Sequence, residues 1–175
     1  MQRLQAALQL YRVWMDSINR LSSYFVKVMS MQDLQQSDIL LVDDSSEVAE
    51  LTKFAILRKK LTEKWTWFND PETASDFLFH HEYTARRDLH PFLILLDLNM
   101  PRLSGHDLLR MLKGNKATSH IPVVMFSTST DREDIRKSYE LGANGYLYKA
   151  TDAGQMMDTV VDAVSYWTTR NLPVR

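Results

Sequence analysis

The sequence predicts an α/β protein: a doubly wound five-stranded parallel sheet of (βα)5 form, with an extra amino-terminal helix. Three observations predict it. Short apolar runs recur along the chain and are almost uninterrupted, as strands buried on both faces require. Stretches with helical spacing of apolar residues alternate with those runs. The composition is that of a globular domain, with 45% hydrophobic and 25% charged residues in 175, long enough to bury a core without staples.

The first 36 residues read as a helical extension. Leu4, Leu8, Tyr11, Met15, Ile18, Phe25 and Met29 advance in alternating steps of four and three, with Ser22 in the one gap. That is a short heptad stripe. Within residues 1–31, Arg3, Arg12, Arg20 and Lys27 face only Asp16, so that stretch is basic in a chain of net charge −1. Gln, Arg and Asp interrupt every apolar stretch, which argues against a secretory signal. Three readings stand: a dimerisation or partner-binding helix, a helix packed on the main domain, or a true start at Met31. The main domain is expected over 37–170, with a tail at 171–175.

From Ile39 the alternation is regular. Ile39-Leu40-Leu41-Val42 is a buried strand ending in Asp43-Asp44. Ser45 and Ser46 can cap the next helix, whose apolar face holds Val48, Leu51, Ala55 and Ile56. Trp65–Phe68 is a second strand, and Asn69-Asp70-Pro71 turns it into a helix with Ala74, Phe77 and Leu78. Residues 80–91 are polar and loop-like. Phe92–Leu96 is a third strand ending at Asp97. Gly105–Leu112 is a helix. Pro122–Phe126 is a fourth strand followed by Ser127. A helix over Asp131–Leu141 stops at Gly142. Tyr146-Leu147-Tyr148 is a fifth strand ending at Lys149. Met156, Val160, Ala163, Val164 and Trp167 mark the last helix.

Ligands of open α/β sheets bind beyond the carboxyl ends of the strands. Asp43, Asp44, Asp97, Ser127 and Lys149 all stand there. Three carboxylates on one rim repel one another unless a cation joins them. Oxygen-only donors select a hard cation, and Mg²⁺ is the expected one. A lysine and a hydroxyl can face phosphoryl oxygens, and an Asp can attack phosphorus to give an aspartyl phosphate. Asn99, two residues past Asp97, can orient water or offer its carbonyl to the metal. The chain has no cysteine, which excludes disulfides, thiolate catalysis and thiolate zinc sites. No apolar run reaches the length of a membrane span.

The pieces LLVDD, LLDLNMP, Gly105, IPVVMFST and LGANGYLYK, in this order and spacing, resemble a response-regulator receiver domain from about Ser37 to Trp167. The resemblance implies the sheet order 2-1-3-4-5. It implies that Asp97 is the phosphoacceptor for a phosphohistidine on a sensor histidine kinase. It places Mg²⁺ on Asp44, Asp97 and the Asn99 carbonyl, with Asp43 acting mostly through water. Ser127 and Lys149 would hold the phosphoryl group, Ser127 and Tyr146 would form the switch, and Asn99 and Ser129 would tune dephosphorylation. Where the family usually has Lys-Pro this chain has Lys149-Ala150, so a trans bond is expected there. IRKSYELGANGYLYK, the late SYW and the long 80–91 connection resemble, more narrowly, small receivers paired with bacterial phytochrome kinases.

A cytoplasmic signalling domain rather than an enzyme is therefore expected. Its output would pass through residues 131–167, as a homodimer or a downstream protein contact, with the amino-terminal helix as a further dimer element. Only 26 residues follow Lys149, so no DNA-binding domain is expected; with no spanning run and only sparse charge on the amino-terminal helix, no membrane attachment is expected either. Two rivals remain open: a phospho-independent scaffold, and a metal-dependent phosphohydrolase, for which Asn99 stands where an acid–base Asp would be needed. His80, His81, His90, His106 and His120 lack metal-ligand spacing and are expected on the surface. Trp65 and Trp67 share a strand face and are expected to pack.

Overall fold

The structure, a computed structural model, describes residues 38–80 and 90–172. Five strands, β1 (Ile39–Val42), β2 (Trp65–Phe68), β3 (Leu93–Leu96), β4 (Val123–Ser127) and β5 (Gly145–Tyr148), alternate with five helices. The helices are α1 (Ser46–Arg58), α2 (Pro71–Leu78), α3 (Gly105–Gly114), α4 (Arg132–Glu140) and α5 (Ala153–Ser165). All strand pairs are parallel, in the order β2-β1-β3-β4-β5. The amino-terminal helix, the connection holding His81 and Arg86-Arg87, and the last three residues lie outside the described residues.

Alternation of side chains decides the layers. Ile39, Leu41, Leu93, Leu95, Val124 and Phe126 meet Ala49, Ala55 and Ile56 of α1 and Met156, Val160 and Val164 of α5 in one buried cluster. The intervening residues, such as Leu40, Val42, Ile94, Leu96 and Met125, are equally buried on the other face. There α2 touches α3 and α3 touches α4. β1 and β3 are buried throughout, as uninterrupted apolar runs demand.

Each of these five α-helices begins on a side-chain cap. Ser45, Asp70, Ser104, Asp131 and Asp152 each accept a backbone N–H of the first turn, worth about 1 kcal/mol apiece. Gly142 stops α4 with φ +94, and Ala143 N–H closes back on the Ser138 carbonyl, the glycine-dependent helix ending. After Ser165 the last helix widens into a π turn over Tyr166–Arg170, where the Asn171 N–H reaches the Tyr166 carbonyl.

Two histidines correct the surface expectation. His90 and His106 are buried. An imidazole is mostly apolar ring and can be buried once its nitrogens are bonded. His106 Nε2 meets the Ser138 hydroxyl at 2.9 Å, and burial, then nearby Lys137, holds its pKa below the ordinary value. His90 Nδ1 lies 3.1 Å from His120 Nε2, the rings stacked. Thr52, which the apolar pattern passes over, is fully buried on α1.

Candidate functional site

β1 and β3 are paired in register, Val42 beside Leu96, so the residues that follow them emerge together. Asp43 is fully buried and Asp97 nearly so, while Asp44 is exposed. One carboxylate oxygen from each of the three lies within 4.8 Å of the others. Lys149, the residue after β5, is also buried. Its ammonium donates to Asp43 Oδ2 at 2.8 Å and to Asp97 Oδ1 at 2.9 Å. With all groups ionised, three carboxylates and one ammonium leave two negative charges. Burial pushes the Asp43 pKa up, Lys149 pulls it back, and Asp97 adds a smaller upward push. An oxygen-only cluster with two uncompensated negative charges fits a hard divalent cation.

Asp43 is fixed from four directions. Its N–H donates to the Phe68 carbonyl at 3.0 Å. Its own carbonyl accepts the Trp67 indole Nε1–H at 2.7 Å. Its Oδ1 accepts the Ser45 N–H at 3.0 Å, and its Oδ2 takes the lysine. Asp97 is held by its N–H to the Val42 carbonyl at 2.9 Å. Gly105 packs behind it: a Cβ there would sit 2.0 Å from the Asp97 carbonyl oxygen. No side chain fits, and the first turn of α3 rests directly on the Asp97 backbone.

The hydroxyl side is a second network. Ser127, fully buried at the end of β4, accepts the Ser129 N–H on its Oγ at 3.2 Å. Its carbonyl accepts the Lys149 N–H at 2.7 Å. Ser129 Oγ donates to Asp134 Oδ2 at 2.6 Å. The Tyr146 hydroxyl donates to the Ser129 carbonyl at 3.0 Å. The loop after β4 is thus bonded to β5 and α4. Asn99 is exposed beside the acidic cluster in sequence. Arg102, at φ +67, sends its guanidinium to Asp70 and Glu72, joining the loop after β3 to the start of α2. No cis peptide occurs among the described residues, so Lys149-Ala150 is trans.

The structure therefore brings Asp43, Asp44, Asp97 and Lys149 into one cluster and connects Ser127, Ser129 and Tyr146 beside it. Sequence reasoning missed Trp67. It was read as packing, and it does pack on the core, but its indole also reaches the site. Its place one residue before the end of β2, level with Leu41, comes from the strand register, and the sequence carries no signal for the bond.

The response regulator receiver domain model matches residues 39–161. The chain belongs to the response regulator receiver family. Receivers are signalling domains of two-component systems, and a divalent-cation site with an aspartyl phosphate is typical of them. This receiver is 36% identical over 129 residues to the probable methanogenesis regulatory protein FilR2 of Methanothrix harundinacea, covering 74% of the chain and 82% of the relative. It is 34% identical to response regulator Rcp1 of Synechocystis, covering 74% and 87%. The crystal structure of Mn²⁺-bound Rcp1 superposes with TM-score 0.70 at 32% identity, covering 78% and 98%. The phosphorylated cyanobacterial phytochrome response regulator RcpA gives 0.72 at 30% identity, covering 80% and 99%. Among the described residues no helix is long and apolar enough to cross a membrane.

Proposed function

We propose that this receiver accepts a phosphoryl group on Asp97 from a phosphohistidine of a sensor histidine kinase. The observation that carries the reading is the Lys149 ammonium, shared between Asp43 and Asp97 at the edge of a three-carboxylate cluster. Transfer breaks the P–N bond of the donor and forms a P–O bond to an Asp97 carboxylate oxygen. The imidazole leaves with the electron pair. Asp43, Asp44, Asp97 and the Asn99 carbonyl would hold Mg²⁺, which when bound supplies positive charge against the phosphoryl oxygens.

This chain's own groups do the rest. Lys149 holds Asp97 in place before transfer and pairs with a phosphoryl oxygen afterwards. The new group adds roughly −1.5 to −2 charges, and the Ser127 hydroxyl turns toward it. That movement disturbs the Ser127–Ser129 bond and so the Tyr146 hydroxyl on the Ser129 carbonyl. Asn99 and Ser129 flank the approach of hydrolytic water. Output passes through residues 131–167, as a homodimer or a contact with a downstream protein. The likeness to the phytochrome response regulator RcpA supports a phytochrome kinase as the donor, and a cytoplasmic setting belongs to the same reading.

The test is intact mass after incubation with Mg²⁺ and acetyl phosphate. One phosphoryl group is expected on the parent and none on Asp97→Asn. Equal labelling of both would place the acceptor elsewhere. Absence of any adduct, with beryllofluoride also failing to bind, would favour a scaffold.

A further inference from the structure

We infer that Trp67 is a positioning residue for the divalent-cation site, acting on Asp44 through the peptide bond that joins it to Asp43. The inference rests on the reading that Asp43, Asp44 and Asp97 hold that cation.

The β1 ladder ends at Val42. One residue later the chain has left the sheet and must still present two carboxylates in fixed directions. The Asp43 side chain is fixed by Ser45 and Lys149. Asp44 is exposed, so little packing restrains it, and its direction depends on the orientation of the preceding peptide plane. That plane is defined by the Asp43 carbonyl, and the carbonyl's partner is the Trp67 indole at 2.7 Å. The Asp43 N–H is bonded to the neighbouring Phe68 carbonyl. The end of β2 thus grips residue 43 by both its main-chain groups.

Trp67 suits this task. Its Nε1–H can only donate, so it cannot reverse the bond. Its ring is packed against the hydrophobic cluster that joins the sheet to α1 and α5, so the donor is placed by the core rather than by a mobile chain. Groups that orient metal ligands in this way typically change affinity 10–100-fold when removed. The same bond makes the indole an internal reporter. Its acceptor is one peptide bond from a cation-binding carboxylate, so cation binding is expected to alter its emission.

The experiment titrates Mg²⁺ into the full chain by calorimetry and by tryptophan emission, for the parent, Trp67→Phe and Trp65→Phe. Trp67→Phe keeps an aromatic ring and removes the donor. Its Mg²⁺ Kd is expected to rise about tenfold, with the Mg²⁺-dependent emission change lost. Trp65→Phe is expected to stay within twofold of the parent and to keep the emission change. If Trp67→Phe does not fold, benzothienylalanine at position 67 replaces it, with sulfur in place of N–H on nearly the same ring shape. An unchanged Kd in a folded position-67 variant overturns the role of Trp67 and leaves the metal reading standing. A parent that binds neither Mg²⁺ nor Mn²⁺ overturns the metal reading itself.

Discussion

Two buried or half-buried lysines stand at opposite ends of the sheet and solve the same problem differently. Lys149, at the carboxyl end, is surrounded by formal charge: its ammonium rests on Asp43 and Asp97. Among the described residues, Lys113, in the last turn of α3, meets only neutral oxygens. Its Nζ donates to the Ile121 carbonyl at 2.7 Å, to Asn144 Oδ1 at 2.9 Å and to the Ser119 carbonyl at 3.3 Å. Burial pushes its pKa down to about 8. At Lys149 the surrounding charge exceeds the lysine's own, and the excess is what a cation or a phosphoryl group can act upon. At Lys113 the dipoles merely tie α3, the 115–122 connection and the turn before β5 together. A buried ammonium is therefore a functional sign when its partners over-compensate it, and a structural staple when they do not.

Lys149→Met should break the first arrangement most. Two buried carboxylates lose their partner, and in the absence of metal the domain should lose about 3 kcal/mol. Urea denaturation with and without Mg²⁺ measures it. The cation should restore more stability to the variant than it adds to the parent, because the cluster is left more negative. A Mg²⁺ effect equal in both would show that Lys149 does not set the charge balance.

Lys113→Met should cost less, about 1 kcal/mol at pH 7. The sharper difference lies in pH. The folded pKa of about 8 is below the ordinary lysine value of 10.5. Between those values the unfolded chain keeps a proton that the folded chain has given up. Stability of the parent relative to the variant should be flat below pH 8 and rise from pH 8 to 10.5. Denaturation midpoints at pH 7, 9 and 10.5 test the sign, and a relative fall over that range would contradict it.

Thr52 supplies the limiting case, a buried hydroxyl whose Oγ1 has no hydrogen-bond partner among the described residues. Thr52→Val should raise stability by about 0.5–1 kcal/mol, the smallest of these effects, seen as a higher thermal midpoint.

Much of this was legible in the sequence because parallel strands buried on both faces leave a plain mark. Ile39–Val42 and Phe92–Leu96 have no polar residue to blur their ends, so Asp43, Asp44 and Asp97 could be placed on one rim before any geometry was known. The Ser127 and Lys149 positions followed by the same logic. Trp67 was not legible as a site residue. Alternation shows which face a residue takes, but not which carbonyl its edge meets. His90 and His106 were misjudged for a related reason: burial of a polar ring depends on a partner from a distant element, here His120 and Ser138, and spacing along the chain carries no record of that pairing. Lys113 likewise reads as an ordinary end-of-helix cation until the fold brings Asn144 beneath it.

Gly105 has one more consequence. Because a methyl group cannot be placed between α3 and the Asp97 carbonyl, the helix shields that side of the aspartate from solvent. Asp97 is left only 6% exposed. An acyl phosphate formed there would face hydrolysis from a restricted direction, so its lifetime would be governed by the few side chains over that opening rather than by the bulk chemistry of mixed anhydrides. The timing of the signal would then be adjustable at the rim, by residues such as the exposed Asn99, without any change to the buried charges that make the signal possible.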